Sequence, residues 1–115
     1  MICYLCGKKL KKDEGNNPYP LCNVDDYTSE CCNECNAEKV IAARLLKSRY
    51  GEYPLKEAKV GDLLIILWLC DDQDINEHAL EKGIITNVEN NKIYGTWGNF
   101  CINSDYDSCI IIPKE

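Results

Sequence analysis

The feature that most constrains this chain is the placement of its cysteines. Two Cys-x-x-Cys pairs, Cys3/Cys6 and Cys32/Cys35, are separated by residues 7–31. Two such pairs are typical of a tetrahedral zinc site made of four thiolates. The total of nine cysteines in 115 residues comes close to the content of a disulfide scaffold. The odd count and an N-terminus without a secretory signal pattern argue against disulfides, and predict a cytoplasmic protein with reduced thiols.

The ligand set has alternatives that the sequence leaves open. A redox dithiol is the rival interpretation of either pair, although no thioredoxin-like βαβ pattern surrounds them. Cys22 and Cys31 are either further metal ligands or small packing residues. The other three cysteines are Cys70, Cys101 and Cys109. They fall in β-like runs, so we expect them to pack as apolar residues rather than to form a catalytic dyad with the single histidine, His78.

The charge distribution divides the chain into two halves. Residues 1–50 hold eight Lys/Arg and seven Asp/Glu, whereas residues 51–115 hold five Lys/Arg and twelve Asp/Glu. The first half is therefore near neutral, and the second carries almost all of the formal net charge of −6. Gly51 and Pro54 are helix-ending residues at the junction. We predict two units, a zinc module at 1–50 and an acidic unit at 51–115.

The first half predicts a treble-clef-like zinc finger. The first cysteine pair is followed by Gly7-Lys8, which is typical of a zinc knuckle, and a turn follows at residues 16–18. Asn33 is the expected N-cap of a helix that ends at Gly51. Its predicted buried stripe consists of Ala37, Val40, Ile41, Ala42, Leu45 and Leu46. Four cysteines close the coordination shell, so the zinc ion is predicted to be structural rather than catalytic.

The second half predicts a five-stranded SH3-like β-barrel, which makes the chain an α+β protein. The expected strands are residues 60–69, 83–88, 92–97, 100–102 and 109–112, with a tight turn at Asn90-Asn91. Strand alternation places Ile93 and Trp97 in the core and Tyr94 on the opposite face. Tyr94 and Tyr106 are candidate partner-binding residues, because exposed tyrosines suit interfaces.

An acidic loop is the second candidate for partner binding. Its acidic side chains include Asp71, Asp72, Asp74 and Glu77. The loop resembles the start of a calcium-binding loop, but Glu77 stands where that loop requires glycine, and Gly83 stands in place of the final glutamate. A solvated loop, or a contact with a basic partner, is the better interpretation.

A short basic run near the knuckle is the candidate nucleic-acid contact. It consists of Lys8, Lys9, Lys11 and Lys12. Asp13 and Glu14 follow it directly, and the acidity of the whole chain opposes attraction to phosphates.

Two sets of residues carry a resemblance to families of mobile genetic elements. The segments 16–21, 31–36 and 40–45 resemble small cysteine-rich proteins of bacteriophages and mobile elements. Residues 82–86, Tyr94-Gly95-Thr96-Trp97 and 103–110 are similar to an uncharacterised small-barrel family of Gram-positive phages. That family carries Gly-x-Val-Thr where this chain has Gly83-Ile84-Ile85-Thr86. The resemblance implies a genomic context and carries over no activity.

Together these observations predict a binding protein rather than an enzyme. The leading hypothesis is a phage or mobile-element accessory protein with structural zinc that binds a host protein through its acidic barrel surface. Such binding could inhibit the host protein. One alternative is nucleic-acid binding through the knuckle lysines and barrel aromatics. A second alternative is capture of a small signalling ligand in a barrel cleft. Neither a membrane partner nor catalysis is expected, because the chain has no long apolar run and no acid–base constellation.

Overall fold

The computed structural model describes residues 1–23, 25–51, 54–70 and 75–114. It is an α+β protein with one helix and a five-stranded antiparallel sheet. The helix runs without a break through three stretches, which are α1 (Asn33–Cys35), a π-helical stretch (Asn36–Val40) and α2 (Ile41–Tyr50). No helix in the described ranges is both long and apolar enough to cross a bilayer.

The helix confirms the predicted element but corrects two of its details. The N-cap is Cys32, not Asn33, because the Cys32 thiol accepts a hydrogen bond from the backbone N–H of Cys35. Val40 and Ala43 are buried, whereas Ile41 and Leu45 of the predicted stripe are 48% and 68% exposed. The wider turn of the π-helical stretch before α2 rotates the side chains that follow it about the helix axis. A different face of α2 is therefore turned toward the core.

The sheet contains the five predicted strands with shifted ends. They are β1 (Leu63–Trp68), β2 (Lys82–Glu89), β3 (Lys92–Gly95), β4 (Ile102–Asn103) and β5 (Ser108–Ile112). Their order is β4-β3-β2-β1-β5. Asn90 and Asn91 both have positive φ in the turn between β2 and β3, as a tight hairpin requires. Within the described residues β4 and β5 are the two edges of an open sheet, so a closed barrel is not confirmed.

Strand β1 lies between two cores, which explains its uninterrupted apolar sequence. Ile65 and Leu67 pack with the cysteine-rich half, and Leu64 and Ile66 pack on the opposite face of the sheet. A strand covered on both faces has no polar alternation. The second core also contains Trp97, which is 9% exposed, as the alternation predicted. The cysteine-rich half and the sheet therefore share one core layer, while the predicted boundary between two units stays a prediction.

Candidate metal centre

A tight turn positions the first cysteine pair. The backbone N–H of Gly7 donates to the carbonyl of Cys3 at 2.9 Å, and the N–H of Cys3 donates to the carbonyl of Lys8 at 2.7 Å. Gly7 has a φ of +79°, and a β-carbon there would lie 2.9 Å from Cδ1 of Ile75. The left-handed backbone therefore favours glycine at this position, and any side chain there would also displace the end of the Ile75 side chain.

The start of the helix positions the second pair. Cys32 caps the helix and Cys35 lies in its first turn. The backbone N–H of Cys32 donates to Sγ of Cys3 at 3.3 Å, which ties the two pairs together. Glu14 supports this junction, because its carboxylate accepts from the N–H of Asn33 at 2.9 Å and from that of Lys11 at 3.0 Å.

These elements bring the four predicted ligands together. The Sγ atoms of Cys3, Cys6, Cys32 and Cys35 all lie within 4.8 Å of one another, and those of Cys6 and Cys32 are 3.9 Å apart. Thiolates at ~2.3 Å from a tetrahedral ion are separated by about 3.8 Å. Cys6 is exposed and the other three are buried. The donor set and its spacing therefore fit a metal ion bound by four sulfurs.

Backbone amides favour ionisation of one thiol in this group. Burial acts to raise the pKa of Cys3, but N–H groups of Cys32, Leu5 and Cys6 outweigh it and lower the pKa to about 7. Burial and the neighbouring thiols raise the pKa of Cys35. Thiolates in one cluster repel each other, and a bound divalent cation removes that repulsion by offsetting their charge.

The other cysteines separate into buried and accessible groups. Cys22 and Cys31 are 1% and 0% exposed, which confirms that they pack in the core, and neither belongs to the four-thiol group. Cys101 and Cys109 are half-buried. The expectation that Cys70 packs in the core is wrong, because this residue is exposed where β1 has ended.

Cys70, Cys101 and His78, for which the sequence predicted no catalytic dyad, line one cavity of about 480 Å³. Nδ1 of His78 lies 3.0 Å from Oε1 of Glu81. The ring centroids of His78 and Phe100 are 4.9 Å apart. Cys109 is not part of this lining. Within the described ranges, the only converging group of three or more metal-ligand side chains is the four-cysteine cluster.

The candidate surface residues that the structure describes differ in exposure and in pairing. Asp71, Asp72 and Asp74 lie outside the described residues. Glu77 is exposed, and Tyr94 and Tyr106 are 38% and 63% exposed. Lys8 is paired with Glu34 at 3.3 Å, whereas Lys9, Lys11 and Lys12 are exposed. Part of the basic run is thus neutralised by the helix.

Asn76 is a structural residue that the sequence did not reveal. It lies in the polar segment predicted to be a solvated loop, yet it is fully buried. Its side chain bonds to backbone carbonyls in both halves of the chain. An asparagine among acidic residues carries no sequence signal for such a role, because its partners are backbone atoms.

No family model, no curated protein and no solved structure matches the chain. The resemblance to mobile-element families is therefore carried only by the segments quoted above.

Proposed function

We propose that this chain is a binding protein whose cysteine-rich half is held together by a structural zinc ion. The observation that carries the zinc proposal is the convergence of four Sγ atoms within 4.8 Å. Four-sulfur tetrahedral sites are typical of zinc or iron, and four protein thiolates leave no open position for a reacting water. Two ligands from a knuckle and two from a helix start support a treble-clef-like finger.

The zinc proposal is tested by metal stoichiometry on purified full-length protein. We expect one zinc per chain, and loss of tight binding in Cys3→Ser, Cys6→Ser, Cys32→Ser and Cys35→Ser variants. Cys101→Ser is the matched control, because this half-buried cysteine lies outside the cluster. Iron in place of zinc would contradict the assigned metal. A full zinc complement in the four variants would contradict the site itself.

We further propose that the sheet is an SH3-like barrel that presents an acidic binding surface. The strand order β4-β3-β2-β1-β5, in which the last strand pairs with the first, supports this topology. The acidic excess of residues 51–115 favours a basic partner. Exposed Tyr94 and Tyr106 offer aromatic contacts in the same half of the chain. In a phage or mobile element, such a surface would occupy a basic site on a host protein.

The partner proposal is tested by pull-down from a bacterial lysate at low and raised salt. We expect a specific protein to be retained at low salt and released as salt screens the charges. Replacing Asp71, Asp72 and Asp74 together by Asn should abolish retention of the partner protein. The control neutralises Glu57 and Glu89, two acidic residues of the same half. Equal retention by both variants would contradict the assigned surface.

Binding of nucleic acid through the basic run is the weaker candidate. The pairing of Lys8 with Glu34 removes one of the four expected phosphate contacts. A mobility shift at about 50 mM salt that is lost when Lys9, Lys11 and Lys12 are neutralised would favour this alternative.

A further inference from the structure

A groove beside helix α2 carries positive charge. It has a volume of about 420 Å³ and is lined by Tyr19 and Pro20, and by Arg44, Lys47 and Ser48 of helix α2. Two cations and two hydroxyl groups line it, and no carboxylate does. This concentration of positive charge is unexpected in a chain with a net charge of −6.

The guanidinium group of Arg44 is held in a fixed orientation. Its Nε donates to the carbonyl of Tyr19 at 2.9 Å, and its Nη2 donates to the carbonyl of Asn17 at 3.1 Å. Two of the five N–H bonds are used in this way, so three donors are left for another acceptor. A guanidinium oriented by the backbone loses little further freedom when it binds an oxyanion.

Lys47 places a second cation in the groove. Its Nζ donates to the hydroxyl of Tyr19 at 3.0 Å and lies 5.0 Å from the centre of that ring. In the described part of the chain, the lysine and arginine ion pairs are Lys8–Glu34 and Lys56–Asp105. Among the described residues, neither groove cation therefore has a carboxylate within 4.0 Å, and the half-buried Lys47 contacts the neutral Tyr19 side chain.

We propose that this groove is a binding site for a phosphate monoester. A guanidinium fork and an ammonium group together match the charge and the acceptor geometry of a phosphate dianion. The groove is larger than a phosphate group alone, so it has room for part of the molecule that carries the phosphate. The site uses none of the metal ligands and none of the acidic surface residues, and it is independent of the function proposed above.

The alternative explanation is structural. Arg44 ties the helix to the preceding segment, and Lys47 lies in the last turn of α2, where a cation complements the helix dipole. A structural role would require no affinity for anions. The test therefore measures binding rather than stability.

The experiment is an NMR titration of the zinc-loaded full-length protein with inorganic phosphate, matched in ionic strength by sodium chloride. We expect saturable shifts of the Arg44 Nε–H and the Ser48 amide with phosphate only. Lys47→Gln should weaken the apparent affinity by about five- to tenfold, while Lys47→Arg retains most of it. Lys9→Gln is the control, because Lys9 is an exposed lysine outside the groove.

Parallel titrations with adenosine monophosphate and O-phosphoserine distinguish the sources of the phosphate group. Tighter binding of either compound than of inorganic phosphate supports the site and identifies the kind of carrier. Shifts that are linear, that chloride reproduces, or that Lys47→Gln leaves unchanged would overturn the proposal. Lys47 is half-buried in the last turn of α2 and outside the core cluster, so this variant is expected to fold, and its amide spectrum verifies that.

Discussion

The side-chain amide of Asn76 donates a hydrogen bond to the backbone carbonyl of Leu21 at 2.8 Å. The same amide donates to the carbonyl of Leu67 at 2.7 Å, and the Asn76 backbone N–H donates to the carbonyl of Tyr4. One buried residue thus joins two segments of the cysteine-rich half to a segment at the end of β1. Both side-chain bonds are buried, so they connect the two halves within the interior.

Replacing Asn76 should destabilise the whole chain. Asn76→Ala removes both side-chain hydrogen bonds to buried carbonyls. It also removes a buried Oδ1 that has no partner among the described residues, so we expect the free energy of unfolding to fall by about 1–2 kcal/mol. Urea denaturation followed by circular dichroism measures this change. Asn99→Ala is the control at an exposed position and should change stability by less than about 0.5 kcal/mol. Equal stability of the two variants would show that the Asn76 bonds contribute no net stability.

Removing the metal should unfold the cysteine-rich half. Structural zinc contributes on the order of 10 kcal/mol to small sites of this kind, and three of the four thiols share a core with the helix and β1. We expect a chelator to lower Tm and to reduce the helical signal at 222 nm, and zinc addition to restore both. A chain that is shown to be metal-free and yet keeps its helix and Tm would contradict a structural role for the ion.

Gly7 should not tolerate a side chain. Gly7→Ala combines a left-handed backbone, which costs about 1–2 kcal/mol, with the close contact to Ile75. We expect lower thermal stability and weaker zinc affinity, measured by competition with a chromogenic chelator. Gly7→Asn should be less damaging, because asparagine adopts the left-handed region more readily.

Gly15→Ala is the matched control for this position. A β-carbon at Gly15 would meet only the carboxylate end of Glu30, which is a flexible side chain that can move. We expect its zinc affinity to stay at the level of the unmodified chain. A loss of affinity equal to that of Gly7→Ala would mean that the knuckle geometry is not the cause.

Stability should fall at alkaline pH because of Cys22. Burial, aided by the nearby carboxylate of Asp26, raises the pKa of this thiol to about 11. An unfolded chain releases the same proton near pH 8.5, so the folded state binds more protons between these values. The contribution of Cys22 to stability is therefore complete below about pH 8.5 and is lost as the pH rises toward 11.

The pH prediction is checked by comparing Cys22→Ala with the unmodified chain. We expect the urea midpoint of the unmodified chain to fall more steeply between pH 8 and 10.5, while Cys22→Ala is less stable at neutral pH because of the cavity it leaves. Cys101→Ala serves as the control at a half-buried position. Parallel pH profiles for all three proteins would contradict the assignment to Cys22.

The sequence by itself determined the features that depend on local spacing. The two Cys-x-x-Cys pairs identified the four clustered thiols, because a knuckle turn and a helix start each present two sulfurs on one side. The apolar runs identified five strands, and alternation placed Trp97 in the core. These features follow from backbone periodicity, which neighbouring residues set.

Only the tertiary structure decided which faces are covered and which polar groups become structural. The π-helical stretch turned Leu45 outward, and strand pairing left β4 and β5 as the edges of the sheet within the described residues. The burial of Asn76, the orientation of Arg44 by two carbonyls and the contact of Lys47 with Tyr19 all depend on segments distant in the chain. Packing between the halves sets these positions, because a residue's neighbours in space determine its solvation and its bonding partners.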